Sequence, residues 1–442
     1  MLFKRIVCAA ILVLSPFYIQ SVENVYPESG VETFILENGM KVALKQTDNE
    51  PGEVLVRLMA EGGFAELPVG QQTAGKISSE AAVRSGLSDF GFDKMHAMLY
   101  QHSIEFETRM QPFSRSMELS ADSDELEQLF NVVNLFFTKS RFSHQAYDAH
   151  KKQLAEVIKD READSFKQLD DEFMEFNTQQ FHAFQLMKVS DIENASFDQS
   201  ERFFKRCFVN PADFVFVIVG DFDIVEAKRH IQQYLGKIPI NGDVNSPKIP
   251  RLPDFTKGIR SKVVKNPHRE QAITRMTFPL QVAVKQDNVR ELEVLSCLIK
   301  ERLVKKVVQQ IHPIPEVRVS LDFPYYPSFH SSWVTIQYIS DAKQVSSTGQ
   351  SILLELKRMQ IEGFSQEEMN KVKKCIESSD NLAQLENLYW LTQIANFIVW
   401  EWDLSKLSKD FANGPYWSLK EANKNMASVI SMDNYTIISQ QP

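Results

Sequence analysis

Between Met1 and Met95 the chain has no histidine, and the nine histidines it does have offer no zinc-type pair three or four residues apart. His96 and His102, like His144 and His150, stand six apart, which on a helix leaves them about 120° out of alignment. Cysteine is scarce as well. Of the four, Cys8 falls in an apolar N-terminal run, and Cys207, Cys297 and Cys375 form no Cys-x-x-Cys pair. That excludes a disulfide framework and leaves one bond open, Cys297 with Cys375 among the choices. Gly-x-Ser-x-Gly, Gly-x-Gly-x-x-Gly and the phosphate-binding Gly-x-x-x-x-Gly-Lys are all missing. The formal charge of −9 carries no basic stripe, so nucleic acid is not an expected partner.

What is present is ordinary globular material: 442 residues, 43% hydrophobic and 24% charged, enough for two domains. Lys4 and Arg5 precede an apolar run from Ile6 to Ile19, with no further charge until Glu23. The run is shorter than the roughly 20 residues of a membrane span and contains Pro16, so it reads as a secretory signal, residues 1–21, cleaved near Ser21. No stable span is expected after cleavage. Export follows, to the periplasm if the source is a Gram-negative bacterium.

Residues 22–30 read as a leader. The hairpin signal Asn38-Gly39 then lies between Glu32–Leu36 and Lys41–Lys45, and a strand at Val54–Ala60 closes at Gly62-Gly63. Ala74, Ile77 and Ala81 predict one long helix over Thr73–Gly86. Strands at Ile104–Met110 and Arg115–Ala121, helices at Ser123–Phe137 and His144–Phe176, a strand at Phe214–Val219 and a helix at Val225–Leu235 complete a first domain, 31–236. Residues 237–258, rich in proline, read as a linker. The order then returns in a second domain, 259–442: a strand at Gln271–Phe278, a helix at Asn288–Gln310, strands at Glu316–Phe323 and Ser332–Tyr338, helices at Lys343–Glu362 and Ser365–Trp402, and a late strand near Tyr435–Ile438. Two copies of one layout indicate a duplicated α+β domain, each an antiparallel-rich sheet with helices packed on one face.

The carboxylates Glu156, Asp160, Glu162, Asp164, Asp170, Asp171, Glu172 and Glu175 could in principle hold a hard cation. Interleaved with Lys159, Arg161 and Lys167, they read instead as a solvated helix face. Cys375, among Lys371, Lys373 and Lys374, is the candidate for a lowered thiol pKa. In NLYWLTQIANFIVWEW, 387–402, Leu388, Leu391, Ile394 or Ala395, and Ile398 keep a helical register. Trp390, Trp400 and Trp402 make the same stretch a candidate docking edge.

Four segments, ETFILENGMKVALKQ, LMAEGG, NPADFVFVIVGDFD and EGFSQEEMNKVKK, resemble in order and spacing the insulinase or pitrilysin (M16) family of zinc peptidases. The likeness covers nearly the whole chain after the signal and is best to the non-catalytic half of long exported members, where a stretch like LFNVVNLFFTKSRF also occurs. It implies a fold of the LuxS/metallohydrolase type. In active members a His-x-x-Glu-His helix binds zinc. With Gly75 aligned to the glycine before that motif, its first His, Glu and second His fall on Ser78, Ala81 and Ala82. A one-residue slip puts Glu80 at the glutamate and still supplies neither histidine. The third ligand falls near Glu156 or Val157, and the substrate-contacting Arg and Tyr of active members fall near Val308 and Pro315. Arg318, Tyr325 and Tyr326 lie close by without inheriting a role.

The resemblance therefore implies a chain that binds no zinc of its own and is not an enzyme alone. It would be an exported half-shell that pairs with an active M16 subunit and helps enclose peptide or unfolded polypeptide. A peptidase with an unrecognised site and a free-standing peptide-binding module are the alternatives.

Overall fold

The structure, a computed structural model, describes residues 23–163, 169–240, 246–310, 316–407 and 418–442. The segment read as a signal peptide lies outside them. Twelve strands among the described residues form two sheets. In the first, β1 (Asn24–Tyr26), β2 (Val31–Ile35), β3 (Lys41–Gln46), β4 (Glu53–Glu61), β5 (Glu105–Met110), β6 (Ser114–Asp122) and β7 (Val215–Gly220) stand in the order β1-β2-β3-β7-β4-β6-β5. In the second, β8 (Ile259–Lys265), β9 (Ala272–Pro279), β10 (Glu316–Asp322), β11 (Trp333–Ser340) and β12 (Tyr435–Gln441) stand in the order β10-β11-β9-β12-β8.

Read from the opposite edge, the second sheet repeats the core of the first. In each, the late strand (β7 or β12) runs parallel to the opening strand (β3 or β8) and antiparallel to the strand on its other side (β4 or β9). That strand pairs antiparallel with β6 or β11, and the outermost partner is β5 or β10. The duplication expected from element order is thus present down to strand direction.

Local chemistry sets the elements. At the Asn38-Gly39 hairpin the Gly39 N–H bonds to the Leu36 carbonyl at 2.8 Å. Gly39 has φ +84, and an added Cβ would lie 2.7 Å from that of Ala212. The connection is thus a longer turn with one left-handed glycine, not the two-residue form. The single helix expected over Thr73–Gly86 is two, Gln72–Lys76 and Ser78–Ser85, parted at Ile77 (φ −87, ψ −3). The long C-terminal helix is likewise Gln366–Ala383 followed by Asn387–Val399. β1 lies in the segment read as a leader, and β8 and the helix Leu419–Val429 have no counterpart in the sequence reading. IRSKVVK in β8 is mostly exposed and lacks an alternating apolar face, so its pattern resembles a loop.

One face of each sheet carries helices of its own domain. Phe216, Ile218, Val54 and Val56 pack with Leu129, Phe130, Val133 and Phe136 of the helix Leu126–Lys139. Met276, Ile336 and Tyr338 pack with Leu295, Ile299, Ile352 and Leu356 from the helices Val289–Lys306 and Val345–Glu362. The opposite faces are not bare. Helix Asn387–Val399, from the second domain, lays Trp390, Leu391, Ile394 and Phe397 on Val31, Ala43, Val215, Val217 and Val219 of the first sheet. Helix Leu169–Asn177, from the first domain, lays Leu169 and Phe173 on Val264, Trp333 and Ile438 of the second. These two helices hold equivalent places in the two copies, so each domain straps the other's sheet. This explains why every residue of β7 is buried, since a strand covered on both faces is apolar throughout.

Candidate functional site

The place where the resemblance puts a zinc motif is core. Ser78, Ala81 and Ala82 are all buried. The Ser78 hydroxyl donates to the Gly75 carbonyl at 2.7 Å, which commits its proton across the break between the two helices. Ala81 packs with Ala74, Ile77, Tyr147, Ile158 and Ile192, and Ala82 faces the main core of the first domain. Gly75 admits this closeness: a Cβ there would come within 2.6 Å of the Leu67 side chain and 3.0 Å of Phe64. Two methyls and a committed hydroxyl do not suit zinc, which takes Cys, His or carboxylate donors. The slipped candidate, Glu80, points outward and pairs with Arg84 at 2.8 Å. On the neighbouring helix His144–Ala163, Glu156 and Val157 are exposed while Ile158 turns inward, so the third-ligand positions face away from this core.

One polar group in the neighbourhood was not foreseen as part of it. His150 is buried against the same helix, its Nε2 3.6 Å from a Glu80 oxygen and neither ring nitrogen in a hydrogen bond. Burial holds its pKa below the ordinary value, the Glu80 charge opposes this, and Arg84 adds to the lowering. The other histidines of the sequence pairs are apart. His102 Nδ1 meets Glu125 at 2.8 Å, His144 stacks on Phe197 at 3.5 Å, and His96 is exposed beside Phe92. No group of three or more His, Cys, Asp or Glu suited to a metal exists among the described residues.

Two of the carboxylates read as a solvated face do other work. Asp170 pairs with Arg275 at 2.6 Å, and buried Glu172 pairs with Lys262, both basic partners belonging to the second sheet. Proximity to a second domain, invisible to helical periodicity, overrides the solvated pattern here. Asp164 and the side chains of Glu162 and Asp171 lie outside the described residues. Cys207 is fully buried and its thiol is pushed up to about 12 by burial, whereas Cys375 is exposed. Of the matched substrate positions, Val308 is buried and Pro315 lies outside the described residues. Arg318 pairs with Glu316 on β10, buried Tyr325 packs on Phe113 and Phe184, and Tyr326 donates to Asn396.

The tryptophan-rich helix is not a free docking edge. Trp390 is 2% exposed, its Nε1 donates to the Gln384 carbonyl at 2.9 Å, and the Lys45 ammonium sits 4.1 Å above its ring. Asn387, fully buried at the start of that helix, gives its N–H to Glu50 and its side-chain amide to Glu53. Leu388, expected on the apolar face, is instead 54% exposed. Across the molecule Asn177 plays a matching part, its carbonyl taking the Thr256 N–H and its side-chain oxygen the Thr436 hydroxyl.

Residues 194–375 match the family model for the peptidase M16 inactive domain. A zinc protease PQQL-like protein of Arabidopsis thaliana is 27% identical over 386 residues, covering 84% of this chain and 37% of its own length. The crystal structure of the periplasmic protease PqqL from Escherichia coli aligns with a TM-score of 0.76 at 16% identity, over 100% of this chain and 48% of that one. A peptidase M16 inactive domain from Pseudomonas fluorescens aligns with a TM-score of 0.75 at 15% identity, over 93% of this chain and 98% of that one. The chain thus spans about half or less of the longer proteins it matches. In fold the chain is similar to the M16 peptidases, and in sequence its residues 194–375 are similar to that family's inactive domain.

Proposed function

We propose that the chain is a non-catalytic, exported M16 half-shell that binds no zinc of its own, pairs with a catalytically competent half of the same family, and forms one wall of a peptide chamber. The observation that carries this is the closed alanine core at Ser78, Ala81 and Ala82, where the resemblance calls for two metal ligands and a general base. Supplying ligands there would mean placing imidazoles where Ser78 is 0% and Ala82 1% exposed. The match to the family's inactive domain supports the same reading, and so does the preserved two-domain shell. Export is supported by the apolar N-terminal run and by the likeness in fold to the periplasmic protease PqqL of Escherichia coli. Among the described residues no helix is long and apolar enough to cross a membrane.

The test is co-expression with an active M16 member. The expected result is a mixed complex that survives gel filtration, as an interface on the order of 1,600 Å² should. Its zinc and chelator-sensitive peptidase activity should reside in the partner, and this chain alone should carry less than stoichiometric zinc. A full equivalent of tightly held zinc in the isolated chain would overturn the reading. So would an active member that is fully active alone and never co-purifies.

A further inference from the structure

At one end of the first sheet, where it meets the second domain, lies a cavity of about 570 Å³. That is inside the range of small-ligand pockets, roughly 300–1,000 Å³. Its floor is the end of β4 (Met59–Glu61) and the start of β7, and its far wall is Pro327–Phe329 with the end of helix Asn387–Val399 and the residues after it. We propose that this cavity is a binding pocket for the cationic side chain of a peptide, arginine above all, held between the aromatic wall and the carboxylates of Glu61 and Glu401.

The aromatic wall is built and fixed. Trp400 and Trp402 lie 4.6 Å apart, and Phe329 sits 4.7 Å from the first and 5.5 Å from the second, nearly parallel to it. Trp400 is locked by its Nε1, which donates to the Pro327 carbonyl at 2.9 Å. Indole faces attract guanidinium groups most strongly among aromatic rings, and more so away from bulk water.

The charges lining the cavity divide into used and unused. Asp213 is used: it accepts from the fully buried Arg115 at 2.7 Å and also from Asn210 and Ser246. Arg115 in turn holds the Cys207, Glu61 and Gly62 carbonyls, which makes the floor rigid. Glu61 and Glu401 have neither an ion pair nor a side-chain hydrogen bond among the described residues. Glu401 follows Trp400 in a left-handed backbone conformation, φ +55, uncommon outside glycine. Burial raises the Glu61 carboxyl above its ordinary 4.5, the Glu401 charge raises it further, and Lys41 pulls it down. An arriving cation would relieve that repulsion. Lys41, which also lines the cavity, competes with such a cation and predicts an effect of opposite sign when removed.

The proposal rests on the chamber reading and narrows it to polypeptides carrying basic residues. The test titrates the full chain with a fluorescein-labelled flexible peptide bearing one central arginine. Its citrulline and norleucine counterparts, free arginine amide and carboxymethylated casein are run beside it. The arginine peptide should bind about tenfold more tightly than the citrulline one, which keeps the shape and loses the charge, and should quench tryptophan emission. Glu61→Gln with Glu401→Gln should remove that preference, and Lys41→Gln should increase it, with melting curves unchanged because all three side chains are exposed. Preference for arginine should fade as pH falls through the raised Glu61 pKa. Equal binding of all three peptides overturns the pocket and leaves the chamber standing, as does free arginine amide binding as tightly as the peptide. Failure of every peptide and of casein to bind overturns the chamber reading, and the pocket with it.

Discussion

A buried arginine anchors the second domain. Arg302 reaches Glu368 with two nitrogens, one at 2.6 Å, and also bonds to the Gly363 carbonyl at 3.0 Å. Glu368 accepts from the Ser365 N–H and hydroxyl as well, closing a capping box at the start of helix Gln366–Ala383. Burial alone would raise this carboxyl, but hydrogen bonds from Arg302 and Ser365 outweigh it and hold the pKa at about 2. A depressed folded-state value contributes stability fully above the unfolded value of 4.5 and loses it as pH falls towards about 2. Melting temperature followed against pH should therefore drop across that window. Glu368→Gln should flatten this acid limb and cost about 3 kcal/mol at neutral pH, because it leaves the buried Arg302 with only the longer ion pair to Glu355, at 3.6 Å. At the alanine core, Ala81→Leu should cost about 1–3 kcal/mol by overpacking, measured by urea denaturation. A neutral result would mean that the place retains room for side chains of ligand size.

At the scale of elements, the helices Val289–Lys306 and Gln366–Ala383 lie antiparallel, with Arg290 meeting Asp380, Glu301 meeting Lys371, and Arg302 meeting Glu368. The same register sets Cys297 opposite Cys375, both free thiols, and burial followed by the Cys375 charge raises the Cys297 pKa. Oxidised glutathione should therefore take two electrons and two protons from this pair and leave an internal disulfide, seen by peptide mass mapping. Mixed glutathione adducts on Cys375 alone would show the register to be wrong. The sequence made these two helices legible through capping and periodicity, but not their pairing, which is a long-range fact. NLYWLTQIANFIV is apolar around most of its circumference, a sign of burial on more than one side. Its role as a strap could be glimpsed there, though not which sheet it would cover. That Ala81 and Ala82 bring no side-chain donor was legible from residue type alone, whereas their place in the core with Ser78 was not. The aromatic cavity was not, since Glu61 and Glu401 are brought together only by the exchange of helices.

Over the whole molecule that exchange couples the domains. Trp390→Ala should cost about 3–5 kcal/mol, as truncation of a buried aromatic does, and should lower the melting of both domains together. Two separate calorimetric transitions would show that the straps do not couple them. The exchange also sets an order in time. β7, the central strand of the first sheet, is complete at Gly220, while the helix that covers its far face begins only at Asn387. During synthesis the valines at 215, 217 and 219 are therefore in the chain long before their cover exists, and the first domain must wait, partly undressed, for the end of the second. A ribosome-bound chain stopped short of Asn387 should be cut readily in its first domain by a dilute protease that leaves the finished chain intact. In the cell such a chain depends on whatever shields exposed apolar strands until the covering helix is made.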